Sequence, residues 1–477
     1  MTAPPPSRAL VPVLIFVGTV VAVISSLGAP LVPAIAEQAG ASLTEAQWSL
    51  TITLLVGAVA TPVVGRLGDG PHRRPVLLTV LGLVTVGGVL AALPLGLPWL
   101  IAGRGLQGFG LGLTPVAIAT ARDALAGERS RSTVAALSVT VVAGVGLGYP
   151  AAGLVAEVGG VHAAFWAGAA VSFLALLTAA AVLPASHGAP ARRLDDVGAL
   201  LLGAGLAGLL LALGEAVTWG LSPLLWTVAG AAVVVLLGWL FWESRAPWPL
   251  VDLRLARGRV AASAHVAALL VGLSNYLLLA SIPVLAQAPA DDGAGFGASI
   301  VVAGLILLPF SLASVVAGRV ARTVADRSGA RLVLPMAALV QSGAFVLFLL
   351  ARTQLWELFV LMAVAGFGVG AAFAAFPALI ISAVPPEETG SAMSLNQVLR
   401  YIGFAVGSAL TATVLAASSA AGTAAPGARG YDVVAVIGLA VCLTTAVVTW
   451  VIPGPALTAA RRAEPVGQSL LGTRPIR

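Results

Sequence analysis

"GRLGDGPHRR", residues 65–74, sets Arg66, Asp69, Arg73 and Arg74 within ten positions of a chain in which only 9% of residues are charged. An apolar run beginning near residue 44 leads into it, and another beginning near residue 75 leads out. As a helix, each run is long enough to cross roughly 30 Å of hydrocarbon. The stretch therefore reads as a short polar loop that holds two membrane spans on one side of a bilayer. The same alternation continues in both directions to the chain ends.

Counting outward from this loop gives fourteen apolar runs, at 10–34, 44–66, 75–95, 98–121, 132–156, 161–184, 197–217, 222–243, 260–287, 296–322, 332–351, 355–382, 389–417 and 431–452. With 59% hydrophobic residues and a mean hydropathy of +1.02, the 477-residue chain is no water-soluble domain around one core. Strand-period alternation is absent, which argues against an outer-membrane barrel. The expected fold is an all-α polytopic membrane protein. An even number of spans returns the chain to its starting side. If that side is cytoplasmic, inner loops and tails hold 21 of the 25 arginines, and outer loops only Arg352 and Arg429. The positive-inside rule then places both termini in the cytoplasm of a protein of the cell membrane.

Composition also bounds partners and cofactors. The net charge of +6 comes from arginines scattered over short loops, without the basic, aromatic-interleaved stripe that nucleic acid requires. The first apolar run carries no cleavage-site pattern and reads as a retained span. A lone Cys442 offers neither a disulfide framework nor a cysteine metal site. No Walker-type phosphate loop is present, so no cofactor is expected and ATP cannot act directly. The histidines, His72, His162, His187 and His265, fall in four separate segments and no span carries a carboxylate pair, which speaks against an enzyme.

The loop also repeats. "GRVARTVADRSGARLVL", residues 318–334, follows the tenth run as "GRLGDGPHRRPVLL" follows the second. Both place an Asp five residues before an Arg, Asp69 with Arg74 and Asp326 with Arg331. The echo falls where a duplication of six-span halves around an inserted pair would put it. The expected division is a six-helix bundle over 1–184, two inserted spans with linkers over 185–258, a second six-helix bundle over 259–452, and a cytoplasmic tail over 453–477.

These residues carry a family resemblance. The first loop resembles the inner-loop motif G-x-L-a-D-R-x-G-R-[RK] of the major facilitator superfamily. "RGLQGFG", Arg104 to Gly110, is similar to its fourth-span motif, and "GVGLGYPAAG", Gly144 to Gly153, to the fifth-span motif of its exporters. Fourteen spans, together with "NQVLRYIGFAVG" from Asn396 in the thirteenth, resemble the drug:proton antiporter branch. Gly70 and His72 depart from the first motif, and Tyr149 takes the fifth-span Pro position with Pro150 one residue later. The first span, which in that branch usually carries an Asp, contains no acid.

The resemblance implies alternating access between two bundles, with the first loop as a conformational latch built from Asp69, Arg66, Arg73 and Arg74 and echoed by Asp326 and Arg331. An anionic Asp69 near a helix N-terminus gains about 0.3–2 kcal/mol, enough to bias two states. Retention of the loop by its arginines alone is the simpler alternative. Arg104 lies some six residues inside the fourth span, where a charge costs a few kcal/mol unless it meets water or an acceptor. Gln107 is its expected hydrogen-bond neighbour, the resemblance implies a role in coupling, and snorkelling to the surface is the alternative.

In the thirteenth span Arg400 shares a face with Asn396 and Gln397. With Tyr401, Asn275 and Tyr276 these are candidate substrate contacts, or equally polar packing between helices. His265 is the candidate proton carrier within a span, or simply a histidine near a helix end that is solvated or bonded to backbone, with Glu157 and Glu215 as alternative proton sites near the outer rim. Gly144, Gly148, Pro150 and Gly153 read as close helix packing and, by resemblance, as a seal between the halves. No Asp or Glu lies near the middle of a span. A chamber with two cations and no anion repels cations and favours neutral or anionic amphiphiles. The expected function is export of small amphiphiles by a monomer in the lipid bilayer, coupled to protons. A lipid or metabolite carrier without proton coupling is the alternative.

Overall fold

The structure, a computed structural model, describes residues 9–68, 72–125, 127–184, 194–251, 253–256, 258–290, 295–384, 389–418 and 426–452. Among these, all regular structure is helical. The α-helices are α1 (Leu10–Ser26), α2 (Val32–Ala39), α3 (Leu43–Gly68), α4 (Arg73–Ala92), α5 (Leu97–Gly108), α6 (Leu113–Ala124), α7 (Gly127–Val182) and α8 (Asp196–Trp219). They continue as α9 (Pro223–Arg245), α10 (Arg259–Gln287), α11 (Ile300–Ser328), α12 (Val333–Leu350), α13 (Leu355–Ala383), α14 (Thr389–Ser418) and α15 (Ala428–Val451).

Twelve helical segments among the described residues are long and apolar enough to cross a membrane. Two further crossings complete the expected fourteen. Helices α5 and α6, twelve residues each, are joined by a 3₁₀ turn at Phe109–Gly112 and together make one crossing. Helix α7 is a 56-residue run that makes two, because Gly160 at φ 79° reverses it. Glycine alone takes that backbone angle without strain.

The first run is not the continuous span that hydropathy predicts. Helix α1 stops at Ser26, and a 3₁₀ turn at Ala29–Leu31 precedes α2. Pro30, lacking an N–H, cannot continue the α-helical ladder there. The break leaves the last carbonyls of α1 without helical donors, a point that matters at the site.

Helix α1 packs along α7, and α4 joins α5 to α7 to build the first group; α3 closes it against α5. In the second group α10 packs along α14 and α15, α11 along α13, and α12 against α13 and α15. Buried hydroxyls satisfy themselves locally. Thr53, Thr61, Thr85 and Thr120 each donate to the carbonyl four residues earlier, so these hydroxyls sit in apolar helices with their hydrogens bonded.

Helices α8 and α9 pack on each other, and α8 lies over the seam between α3 and α14. Gly214 of α8 meets the indole of Trp48, and Thr413 of α14 donates to the Leu213 carbonyl at 2.5 Å. Helix α9 stays outside, with 17% of its apolar window buried against 83% for α10. Its exposed Trp226, Val234, Leu237 and Phe241 suit contact with lipid tails.

Fourteen crossings put Leu10 and Val451 at one end of the molecule, here the terminal face. Toward the opposite, far face, four hydrogen bonds among the described residues join the two groups. Gln47 donates to Ser408 at 2.9 Å, and the Thr51 and Ser408 hydroxyls are 2.9 Å apart. Gln287 donates to the Pro30 carbonyl at 3.0 Å, and the Val301 N–H donates to Glu157 at 3.2 Å.

Candidate functional site

Arg104 is the largest fully buried side chain among the described residues, at 0% exposure. Glycines make this possible. A Cβ at Gly103 would lie 2.5 Å from the Gly87 carbonyl oxygen and one at Gly108 2.6 Å from that of Thr53, so α5 sinks between α4 and α3. The guanidinium then spans three helices. Nη1 donates to Gln107 Oε1 at 2.7 Å and to the Ile24 carbonyl at 3.2 Å; Nε donates to the Ser49 carbonyl at 3.1 Å. Ile24 is one of the carbonyls freed where α1 ends. Of the two expected ways to hold this charge, water or an acceptor, the structure shows acceptors: two backbone carbonyls and the Gln107 amide oxygen. The Nη2 atom and the Ser49 hydroxyl, both buried, have no partner. The Phe165 ring lies 5.9 Å away.

In the second group the aromatic side chains converge on Phe404. Its ring centroid is 4.6 Å from Tyr276, 5.7 Å from Tyr401 and 6.5 Å from Phe373. Arg400 sits over Phe373 at 4.6 Å. Tyr276 of α10 is buried against Phe404 in this cluster. Sequence reasoning brings Arg104, Tyr276, Arg400 and Tyr401 forward but misses Tyr149, Phe373 and Phe404. Phe404 stands one turn beyond Arg400 in the quoted motif, so helical spacing alone could have found it.

The predicted polar stripe does not hold together. Asn396 turns into the α10 contact and donates to the Ala264 carbonyl at 3.0 Å, while Gln397 donates to the Tyr401 hydroxyl at 3.2 Å. Asn396 is consequently a packing residue here. Asn275 is buried beside Tyr276, with its Oδ1 unpartnered. His265 is 2% exposed and neither ring nitrogen has a hydrogen-bond partner.

Above this cluster the far-face seal rests on close backbone approach. A Cβ at Gly304 of α11 would lie 2.7 Å from the Tyr149 carbonyl oxygen, and one at Gly153 2.8 Å from that of Ile300. Glu157 reaches the first turn of α11, where a carboxylate meets the positive end of the helix dipole. Gln47 and Ser408 reinforce the seal from the other side. Gln47→Leu combined with Ser408→Ala removes that clasp, worth about 1 kcal/mol. A cysteine at Ala412, beside Gln47, should then react about fivefold faster with an impermeant thiol reagent. An unchanged rate removes the clasp from the seal.

The profile of the Major Facilitator Superfamily matches residues 14–242 and 264–476. The chain belongs to the major facilitator superfamily. An uncharacterised MFS-type transporter of Mycobacterium tuberculosis is 28% identical over 413 residues, covering 83% of this chain and 58% of that protein. The chain thus spans less than two thirds of that relative's length. A putative multidrug resistance protein, MdtD, of Escherichia coli is 27% identical over 390 residues, covering 80% and 81%. The crystal structure of a peptide transporter, POT, superposes with a TM-score of 0.68 at 14% identity, over 94% of this chain and 97% of that one. That likeness concerns the fold.

Within this facilitator fold the loop after α3 is partly described. Asp69 lies outside the described residues. Its neighbours grip backbone: Arg73 donates to the Gly68 carbonyl and Arg74 to that of Ala180, both at 2.8 Å, while Arg66 donates to the Pro249 carbonyl. These bonds tie the start of α4 to the end of α3 and to α7, and the end of α3 to the segment after α9. In the echo, Asp326 and Arg331 are exposed at the end of α11 and the turn after it. Pro150 and Gly153 lie on α7 where it meets α11; Gly144 and Gly148 lie on the same helix.

Proposed function

We propose that this facilitator exports small amphiphiles across the cell membrane by alternating access, with protons as counter-ions and the terminal face in the cytoplasm. One observation carries the proposal: the two helix groups are bonded at the far face, and beneath that seal lie Arg104 in the first group and Tyr276 and Arg400 in the second. A site closed at one end is what an alternating carrier requires. The excess of arginine on loops of the terminal face supports a cytoplasmic assignment of that face. The multidrug-resistance name of the Escherichia coli relative supports amphiphiles as cargo.

His265 is the group we assign to proton exchange. Its imidazole is buried in α10 with both nitrogens open to a new bond, whereas the first span offers no acid. Asp69 is assigned to the latch that holds the terminal face shut when the far face opens.

The test is counterflow in proteoliposomes carrying an imposed pH gradient, with neutral, anionic and cationic amphiphiles compared. Gradient-driven flux is expected, and Asp69→Asn should lower it about fivefold, the effect of roughly 1 kcal/mol of lost helix-terminus contact. Flux indifferent to the gradient would replace antiport by facilitated diffusion; wild-type flux in Asp69→Asn would remove the latch.

A further inference from the structure

The two mid-span arginines differ in what remains available to them. Arg104 is sealed from solvent and spends Nε and Nη1 on Ser49, Ile24 and Gln107. Arg400 is half-buried near the middle of α14, rests on Phe373, and makes no hydrogen bond or ion pair among the described residues. A cation over a ring face keeps its N–H groups, which lie in the guanidinium plane, free for an oxyanion. From Phe373 an aromatic wall continues through Phe404 to Tyr276 and Tyr401. The absence of any Asp or Glu near mid-span leaves that charge uncompensated by the chain itself.

We infer that Arg400 and its aromatic wall form a site for the carboxylate of an aromatic organic acid, the guanidinium taking the carboxylate and the rings stacking on the ligand body. This rests on the transporter reading above and gives its cargo a chemical class. A planar carboxylate matches the guanidinium fork in two parallel hydrogen bonds. A ring beside that carboxylate finds offset or edge contacts with Phe373 and Phe404. A matched cation meets repulsion from Arg400 with no acid to offset it.

The probes are 1-naphthoate, its neutral amide 1-naphthamide, and 1-naphthylmethylammonium. Binding to purified wild-type protein is followed by calorimetry, and flux in proteoliposomes. Naphthoate should bind best. Arg400→Gln should weaken naphthoate binding at least about tenfold, the loss of a charge-assisted pair, while changing naphthamide less than about twofold. Arg400→Lys should restore part of the naphthoate affinity, and Phe373→Leu should weaken both probes. Equal loss of naphthoate and naphthamide in a folded Arg400→Gln protein, or wild-type preference for the ammonium probe, overturns the assignment. Naphthamide flux without naphthoate binding leaves the exporter standing and removes the site. Naphthoate binding without flux of any probe keeps the site and removes the exporter.

Discussion

Gly304→Val is expected to lower transport at least about tenfold while the protein still folds. The added Cβ would meet the Tyr149 carbonyl oxygen at 2.7 Å and the Pro150 Cα at 2.9 Å. Both are backbone atoms of α7, so neither can swing aside as a side-chain tip would. Overpacking of this kind costs about 1–3 kcal/mol, and about 1.4 kcal/mol is already a factor of ten in a two-state equilibrium. The cost falls on one state only, because the contact joins two helix groups that must part when the far face opens. The variant should therefore favour the far-open state, and a cysteine at Ala412 should become more reactive. Gly318→Val on the same helix is the control: only Ala374 lies near, at 3.9 Å, and transport should be retained. Wild-type flux in Gly304→Val would mean that α7 and α11 need not close.

Much of this arrangement is legible in the sequence, and the limits of legibility are physical. Hydropathy and arginine spacing reveal the spans because the bilayer imposes length and charge rules on every segment. Glycine-rich strings such as Gly144 to Gly153 announce close packing, although they do not say that Gly304, some 150 positions later, supplies the opposing surface. The Gln47–Ser408 clasp joins residues 361 apart, and no local pattern encodes that pairing. Arg104 is flagged by its depth and Gln107 by its spacing, but the carbonyl acceptors on α1 and α3 are not. Whether it meets water or carbonyls depends on where α1 stops, and the stop at Ser26 is hidden inside an apolar run. Asn396 and Arg400 share a face by spacing but part company because α10 offers the Ala264 carbonyl to one and α13 offers Phe373 to the other.

Arg104→Lys is expected to be nearly as damaging as Arg104→Gln, and the reason separates two roles for this residue. The guanidinium reaches acceptors on α1, α3 and α5 at once. A lysine ammonium keeps the charge but cannot reproduce that planar spread of donors. Leaving the Ile24 or Ser49 carbonyl and the Gln107 oxygen unanswered costs about 1–3 kcal/mol each. Both variants should unfold earlier by about 2–4 kcal/mol and lose most transport, while Gln107→Leu, which removes one acceptor of three, should lose less. If Arg104 served proton coupling alone, thermal stability would stay unchanged in all three variants and only the response to a pH gradient would fall. A staple lowers stability and flux together, and charge retention in Arg104→Lys then rescues neither, because geometry rather than charge holds α1, α3 and α5 in register beneath the far-face seal.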